Sequence, residues 1–140
     1  MTTDPPVVRA DTAGDLSFFE DEVTVRVPAQ SVYVAVLRTA IAGVAARADF
    51  SVDDIEDLRI AVDEACSLLL ASASPGAALS CQLAGRPDSV VAAVSTTVTD
   101  PTPPDTSSFG WLVLSALAGA VEADVDGDTM TIMLGRTRTS

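Results

Sequence analysis

The sequence predicts a two-layer α/β sandwich, in which three helices cover one face of a mixed, mainly antiparallel β-sheet. Three observations support this fold class. The chain has 140 residues, which is enough for one hydrophobic core. The predicted elements run strand, two helices, two strands, helix, two strands. Each helix has a single apolar stripe, so the helices can cover only one side of a sheet.

The first predicted element after the N-terminal residues is a strand. Residues 1–21 combine prolines, a glycine and several acids without periodicity, which predicts a flexible N-terminal tail. From Glu22 to Val27, valines alternate with polar residues, as in a half-buried strand. The folded domain is therefore predicted over residues 22–136.

Two amphipathic helices are predicted next. The first runs from Val32 to Ala48, with Ser31 as its predicted cap. The second begins after Ser51, a capping residue followed by two acids, and runs to about Ala73. The predicted core stripes contain Tyr33, Leu37, Ile41, Val44 and Ala48 in the first helix, and Ile55, Leu58, Val62, Ala65 and Leu69 in the second.

The second half of the chain predicts two hairpins around a third helix. The strands of the first hairpin are Ala77 to Ala84 and Val90 to Thr99, and the helix is Phe109 to Val121. The last hairpin joins Val121–Val125 to Thr129–Leu134 through a turn at Gly127, a residue that accepts positive φ.

Composition excludes several classes of function. A net charge of −12, with eight Arg and no Lys, repels nucleic-acid backbones and favours a basic protein partner. The absence of His excludes imidazole catalysis and His-ligated metals, and we expect no metal site. No stretch has the roughly 20 continuous apolar residues of a membrane helix, so a cytoplasmic protein is expected. Cys66 and Cys81 are predicted to be buried small hydrophobes, with a redox switch as the alternative.

The outer face of the first helix is unusual. Ala35, Thr39 and Ala42 cluster there around one guanidinium, that of Arg38, where a solvated helix would carry several charges. Such a face lets a protein partner approach closely and offers it one forked donor. The alternative is an alanine-rich face that the N-terminal tail or another element covers.

Four segments carry a resemblance to a known family. They are Val27-Pro28-Ala29-Gln30, Leu37-Arg38, Gly43-Val44-Ala45 and the run from Ile55 to Cys66. They resemble the serine-protein kinase anti-sigma factors of the RsbW type, in the histidine-kinase-like (GHKL) ATPase superfamily. In that family a Glu acts as general base, and an Asn four residues later binds the magnesium of ATP. The resemblance places these two roles at Glu64 and Leu68.

The nucleotide motifs of that family are degenerate in this chain. Leu68 offers hydrocarbon where magnesium requires oxygen ligands. The family's adenine-reading Asp and the Gly that follows it align with Thr96 and Val98, and of the glycine-rich lid only Gly110 matches. Phosphoryl transfer depends on metal neutralisation and positioning, so we expect Glu64 to be idle and no cofactor to bind.

The sequence therefore leads to one hypothesis and two alternatives. The leading hypothesis is an anti-sigma factor that sequesters an alternative sigma factor of the stress or sporulation type and is released by an anti-anti-sigma antagonist. The resemblance implies that Arg38 contacts both partners and that the chain forms a homodimer. The alternatives are an active serine-protein kinase that uses ATP and magnesium, and a small-molecule-sensing module that uses the vacated nucleotide pocket.

Overall fold

The computed structural model describes residues 21–139, and the order of its elements is the predicted one. The predicted tail lies outside the described residues except for Asp21, which begins the first strand. The elements are β1 (Asp21–Pro28), α1 (Val34–Arg47), α2 (Val52–Leu70), β2 (Ala78–Gly85), β3 (Ser89–Thr97), α3 (Phe109–Leu117), β4 (Ala120–Asp126) and β5 (Thr129–Thr137).

The strands form one five-stranded sheet in the order β1-β2-β3-β5-β4. All four neighbouring pairs are antiparallel, so the described sheet is wholly antiparallel. β1 and β4 are the two edges. The predicted fold class, an α/β sandwich with a mainly antiparallel sheet, is confirmed.

The helices lie on one face of this sheet and enclose the core with it. α1 packs on β1, β2 and β3, whereas α2 packs on β3 and β5. α3 packs chiefly on α2. The inward side chains of neighbouring strands stand in register, as Cys81 does with Val94 and Val94 with Ile132, and all three are fully buried. No helix within residues 21–139 is both long and apolar enough to cross a membrane.

The start of α1 differs from the prediction. Residues Ser31–Tyr33 form a 3-10 turn, and α1 itself begins at Val34. Ser31 lies inside this turn and makes no capping hydrogen bond, so its predicted role was wrong. Because the turn changes the helical phase, Val34 takes the buried position and Tyr33 is 39% exposed.

The third helix is shorter than predicted. It ends at Leu117 because Ala118 adopts an extended conformation, with φ −104° and ψ 149°. The next residue must be small, since a Cβ on Gly119 would lie 3.2 Å from the carbonyl oxygen of Gly135. Val121 therefore belongs to β4 and not to the helix. α2 likewise ends three residues early, at Leu70.

Candidate functional site

The predicted nucleotide site lies where α2 meets the first turn of α3. Glu64 and Leu68 are half-buried on α2, one turn apart, as predicted. Gly110 is the second residue of α3. A Cβ on Gly110 would lie 3.0 Å from Glu64 Oε2 and 3.4 Å from Leu68 Cδ2. The structure thus brings these three residues together, and α3 packs directly against Leu68, the position at which the resemblance implies a magnesium ligand.

Hydrogen bonds fix the segment that leads into α3. The Ser108 hydroxyl accepts a hydrogen bond from the N–H of Trp111 at 3.2 Å, which caps the helix. The carboxylate of Asp105 accepts two hydrogen bonds from Ser107, one from its hydroxyl at 2.7 Å and one from its N–H at 2.9 Å. These bonds lower the pKa of Asp105, with the hydroxyl of Ser107 as the larger cause. A closed turn and a capped helix thus stand where the resemblance implies a glycine-rich lid.

The two residues at the adenine positions lie in the protein interior. Thr96 is 3% exposed, and its hydroxyl donates a hydrogen bond of 2.8 Å to the carbonyl oxygen of Ala78. Val98 is also 3% exposed, and its N–H donates to the carbonyl oxygen of Asp128 at 2.7 Å. Neither residue faces an open pocket, so the structure does not join them to Glu64 and Gly110 in one ligand site.

Four surface cavities between described residues lie elsewhere. The largest, of about 640 Å³, is bounded by the start of β3, the 116–120 segment and the end of β5. The others have volumes of about 500, 250 and 30 Å³. None of these four is lined by Glu64, Leu68, Thr96, Val98 or Gly110.

The predicted partner face on α1 is present, but Arg38 is not solitary. Its Nη1 lies 2.6 Å from Asp63 Oδ1 on α2, and the two side chains are 33% and 50% exposed. The expectation of an isolated guanidinium was therefore wrong. Ala35 and Thr39 are exposed and Ala42 is half-buried beside it, so the face keeps its small side chains.

The sequence analysis did not predict that this face continues onto α2. A cleft of about 250 Å³ is lined by Arg38 together with Glu56, Arg59, Ile60 and Asp63. Ile60 is 42% exposed and gives the cleft an apolar wall. The acids of the second helix were the available signal for an ion-pair partner of Arg38. The sequence alone does not show which of these several acids pairs with it.

Two ion pairs of Arg136 fix the start of α2, and the sequence analysis did not predict them. Arg136 Nη2 lies 2.7 Å from Asp54 Oδ1, and Arg136 Nη1 lies 3.1 Å from Asp57 Oδ2. The hydroxyl and the N–H of Thr139 both donate to Asp54 Oδ2, at 2.7 and 3.1 Å. The pKa of Asp54 is lowered by these bonds from Thr139 and by the charge of Arg136, although burial opposes the shift.

The two cysteines are buried and free. Cys66 on α2 and Cys81 on β2 are both fully buried, as predicted. Burial raises the pKa of each thiol to about 12. Both side chains therefore act as small core hydrophobes.

Comparisons with known proteins give relatives of the RsbW type. No family model matches the chain. It is 37% identical over 105 residues to the anti-sigma-F factor RsbW of Mycobacterium tuberculosis strain H37Rv, which covers 75% of this chain and 62% of that relative. It is 47% identical over 47 residues to the serine-protein kinase RsbW of Bacillus cereus strain AH187, covering 34% of this chain and 29% of the relative. The chain thus spans less than two thirds of the length of these relatives.

A solved structure shares the fold. The crystal structure of the RsbU and RsbW domains of a Mycobacterium tuberculosis protein matches with a TM-score of 0.63. The match covers 86% of this chain and 33% of that chain, at 17% sequence identity. At that identity the likeness establishes the architecture alone.

Proposed function

We propose that this chain, a homologue of the RsbW-type proteins in sequence and in fold, is an anti-sigma factor that acts by protein contact without ATP turnover. One observation supports the proposed loss of turnover: the first turn of α3 packs against Glu64 and Leu68, where the resemblance implies the magnesium site. Leu68 has no oxygen to replace the implied Asn ligand, and the carboxylate of Glu64 stands at the implied general-base position, so the metal that would neutralise phosphate charge loses its protein ligand.

The interior positions of Thr96 and Val98 support the same proposal. An adenine base needs a polar acceptor in an open pocket, and both positions are instead filled by packing and backbone hydrogen bonds. The same packing weighs against a small-molecule sensor that uses the vacated pocket.

The proposed partner surface is the α1 face around Arg38 and its continuation onto α2. Asp63 holds one side of the guanidinium, which fixes its direction and leaves other N–H donors for a partner carboxylate or carbonyl. The small residues Ala35 and Ala42 let a partner helix approach closely, and Ile60 adds an apolar contact. A sigma factor and an anti-anti-sigma antagonist would compete for this face. The chain would then work in the cytoplasm, as a homodimer if the resemblance extends to assembly.

The central experiment compares Arg38→Glu with Arg26→Glu. Arg26 is exposed on the opposite face of the sheet, so its variant has the same charge change at a distant place. We expect Arg38→Glu to weaken binding of the host's alternative sigma factor at least tenfold in a direct titration, and Arg26→Glu to leave it nearly unchanged. Equal affinities in both variants would place the interface elsewhere, and binding to none of the host's sigma factors would refute the proposed function.

The runner-up is an active serine-protein kinase. The retained carboxylate of Glu64 and the name of the Bacillus relative favour it. Labelled ATP, magnesium and a candidate antagonist test it directly. Transfer of phosphate to a serine of the antagonist, lost in Glu64→Gln, would establish the kinase and refute the ATP-independent mechanism.

A further inference from the structure

The cleft between α1 and α2 brings two arginines of this acidic chain together. Arg38 of α1 and Arg59 of α2 both line the cleft of about 250 Å³, and the other lining residues are Glu56, Ile60 and Asp63. The chain has 8 basic residues against 20 acidic ones, so two guanidinium groups in one cleft are a local concentration of positive charge. The two acids of the cleft match them in number, and the strength of each pairing therefore decides what the cleft can bind.

The two arginines are held by their acids to very different degrees. Arg38 Nη1 donates a hydrogen bond of 2.6 Å to Asp63 Oδ1, which is short and charge-assisted. Arg59 Nε lies 3.7 Å from Glu56 Oε1, which is beyond hydrogen-bond distance. The side chain of Glu56 is 62% exposed, so water competes with the arginine for its carboxylate. Glu56 is therefore a weak partner for Arg59.

One donor of the cleft lacks an acceptor. The Nε atom of Arg59 is buried and has no hydrogen-bond partner among residues 21–139. A buried donor without an acceptor costs free energy, and an acceptor supplied by a bound partner would recover it. The donors of a guanidinium form a planar fork that matches the two oxygens of a carboxylate. A carboxylate therefore satisfies Arg59 better than a single carbonyl oxygen does.

We propose that the cleft binds a carboxylate side chain of the partner protein through Arg59, with Arg38 as the second positive charge. The inference rests on the proposed function and adds the chemical group by which the partner is recognised. Ile60 is 42% exposed in the same cleft and can contact the methylene groups of the incoming side chain, which favours glutamate over the shorter aspartate. The net charge of −12 attracts a basic partner at long range, and the cleft then selects one that presents a glutamate at this position.

Single-charge variants separate a bound carboxylate from a bound cation. In a direct titration with the host's alternative sigma factor, Arg59→Gln should weaken binding about tenfold, because it removes a charge-assisted contact. Glu56→Gln should tighten binding, because it removes the acid that competes for Arg59. A lysine or arginine of the partner bound by Glu56 would reverse the sign of both changes, and this reversal would overturn the proposal.

Matched controls make the same charge changes outside the cleft. They are Arg86→Gln in the turn between β2 and β3 and Glu122→Gln on β4, both at exposed positions. Each should leave the affinity nearly unchanged, and equal affinities of Arg59→Gln and Arg86→Gln would refute the role of Arg59. Arg59→Lys keeps the charge but loses the forked donor, so it should recover only part of the affinity. Full recovery would contradict recognition of a carboxylate by the fork.

A test on the free chain needs no sigma factor. The probe is a blocked glutamate, N-acetyl-glutamate N-methylamide, and the readout is the Nε–H signal of Arg59 in proton–nitrogen NMR spectra. We expect this signal to shift saturably with the blocked glutamate and to stay in place with the corresponding blocked glutamine. The Nε–H signal of Arg86 serves as the internal reference and should not move. No shift of the Arg59 signal, or an equal shift with both probes, would contradict a carboxylate site.

Failure of this inference and failure of the proposed function give different results. A sigma factor that loses affinity for Arg38→Glu but not for Arg59→Gln would leave the function in place and overturn the inference. Binding to none of the host's sigma factors, together with a selective shift of the Arg59 signal, would refute the function and leave the carboxylate site in place.

Discussion

At the residue scale, a single substitution cannot by itself account for the proposed loss of ATP binding. Leu68 removes the magnesium ligand that the resemblance implies, Gly110 of α3 lies against Leu68 and Glu64, and Thr96 is hydrogen-bonded inside the core. Several contacts, and not Leu68 alone, therefore support the proposed loss of ATP binding. Restoring one side chain would leave the others in place.

The variant Leu68→Asn restores the family's amide and tests this argument. We expect it to show no magnesium-dependent ATP binding by calorimetry, because α3 still closes the position. Trp111 is the only tryptophan and lies buried in α3, so its fluorescence should also stay unchanged when ATP is added. Leu68→Ala is the control for loss of packing. ATP binding by Leu68→Asn alone would mean that the leucine is the whole defect.

Asp54 predicts a pH dependence of stability. Its pKa is lowered in the folded state, mainly by hydrogen bonds from Thr139. A lowered folded-state pKa stabilises the protein above the ordinary carboxyl range near pH 4, and this contribution is lost as the pH falls through the folded-state pKa. Asp54→Asn should therefore flatten the fall in unfolding free energy at acid pH, as measured by urea titrations between pH 7 and pH 3.

The same variant should also be less stable at neutral pH. Arg136 would keep Asp57 but lose its buried partner, so we expect a loss of about 3 kcal/mol, the low end for breaking a buried ion pair. Asp53→Asn, an exposed acid in the same helical turn, should cost less than about 1 kcal/mol. If Asp54→Asn and Asp53→Asn changed the pH dependence of the unfolding free energy in the same way, helix-dipole effects, and not the Arg136 ion pairs, would cause that dependence.

At the scale of elements, α3 depends on one buried face for its position over the candidate site. Leu114 is fully buried, and Leu112, two residues earlier, is 56% exposed. Leu114→Ala should lower the unfolding free energy by about 2–4 kcal/mol in urea denaturation, whereas Leu112→Ala should change it by less than about 1 kcal/mol. Equal effects would mean that α3 is not held in this orientation.

Sequence periodicity predicted the elements better than their ends. The order of strands and helices follows from alternation and from apolar stripes, and it is confirmed. The end of α3 depended on the close approach of Gly119 to Gly135, which joins segments distant in sequence. The pairing of Arg38 with Asp63 depended on how α1 lies against α2. Local patterns contain no information on such contacts.

The sequence predicted which residues belong to the candidate site, but it did not predict how these residues pack. The positions of Glu64, Leu68 and Gly110 could be read from the spacing of a resembling motif, and the structure brings them together. The burial of Thr96 and Val98 could not, because it depends on segments distant in sequence: Thr96 bonds to Ala78, and Val98 meets Ala73 and Asp128. The sequence left open a vacated pocket lined by Leu68, Thr96 and Val98, whereas in the structure Thr96 and Val98 are buried away from Glu64 and Gly110.

At the scale of the whole molecule, the net charge of −12 favours a basic partner. A field of this size speeds the approach of an oppositely charged protein and is screened by salt, with a Debye length of about 10 Å at 0.1 M. Short-range contacts in the formed complex, such as those proposed for Arg38 and Ile60, are screened much less. Charge should therefore govern the association rate more than the dissociation rate.

Stopped-flow measurements with the cognate sigma factor test this division. Raising the salt concentration from 50 to 500 mM should slow association by at least tenfold and change dissociation by less than about threefold. Arg38→Glu should instead raise the dissociation rate and leave the association rate nearly unchanged. The variant makes the chain more acidic, so it does not slow the long-range approach of a basic partner. It does remove a contact of the bound complex. An association rate insensitive to salt would contradict electrostatic steering while leaving the Arg38 interface intact. A variant slowed only in association would instead remove Arg38 from the contact surface.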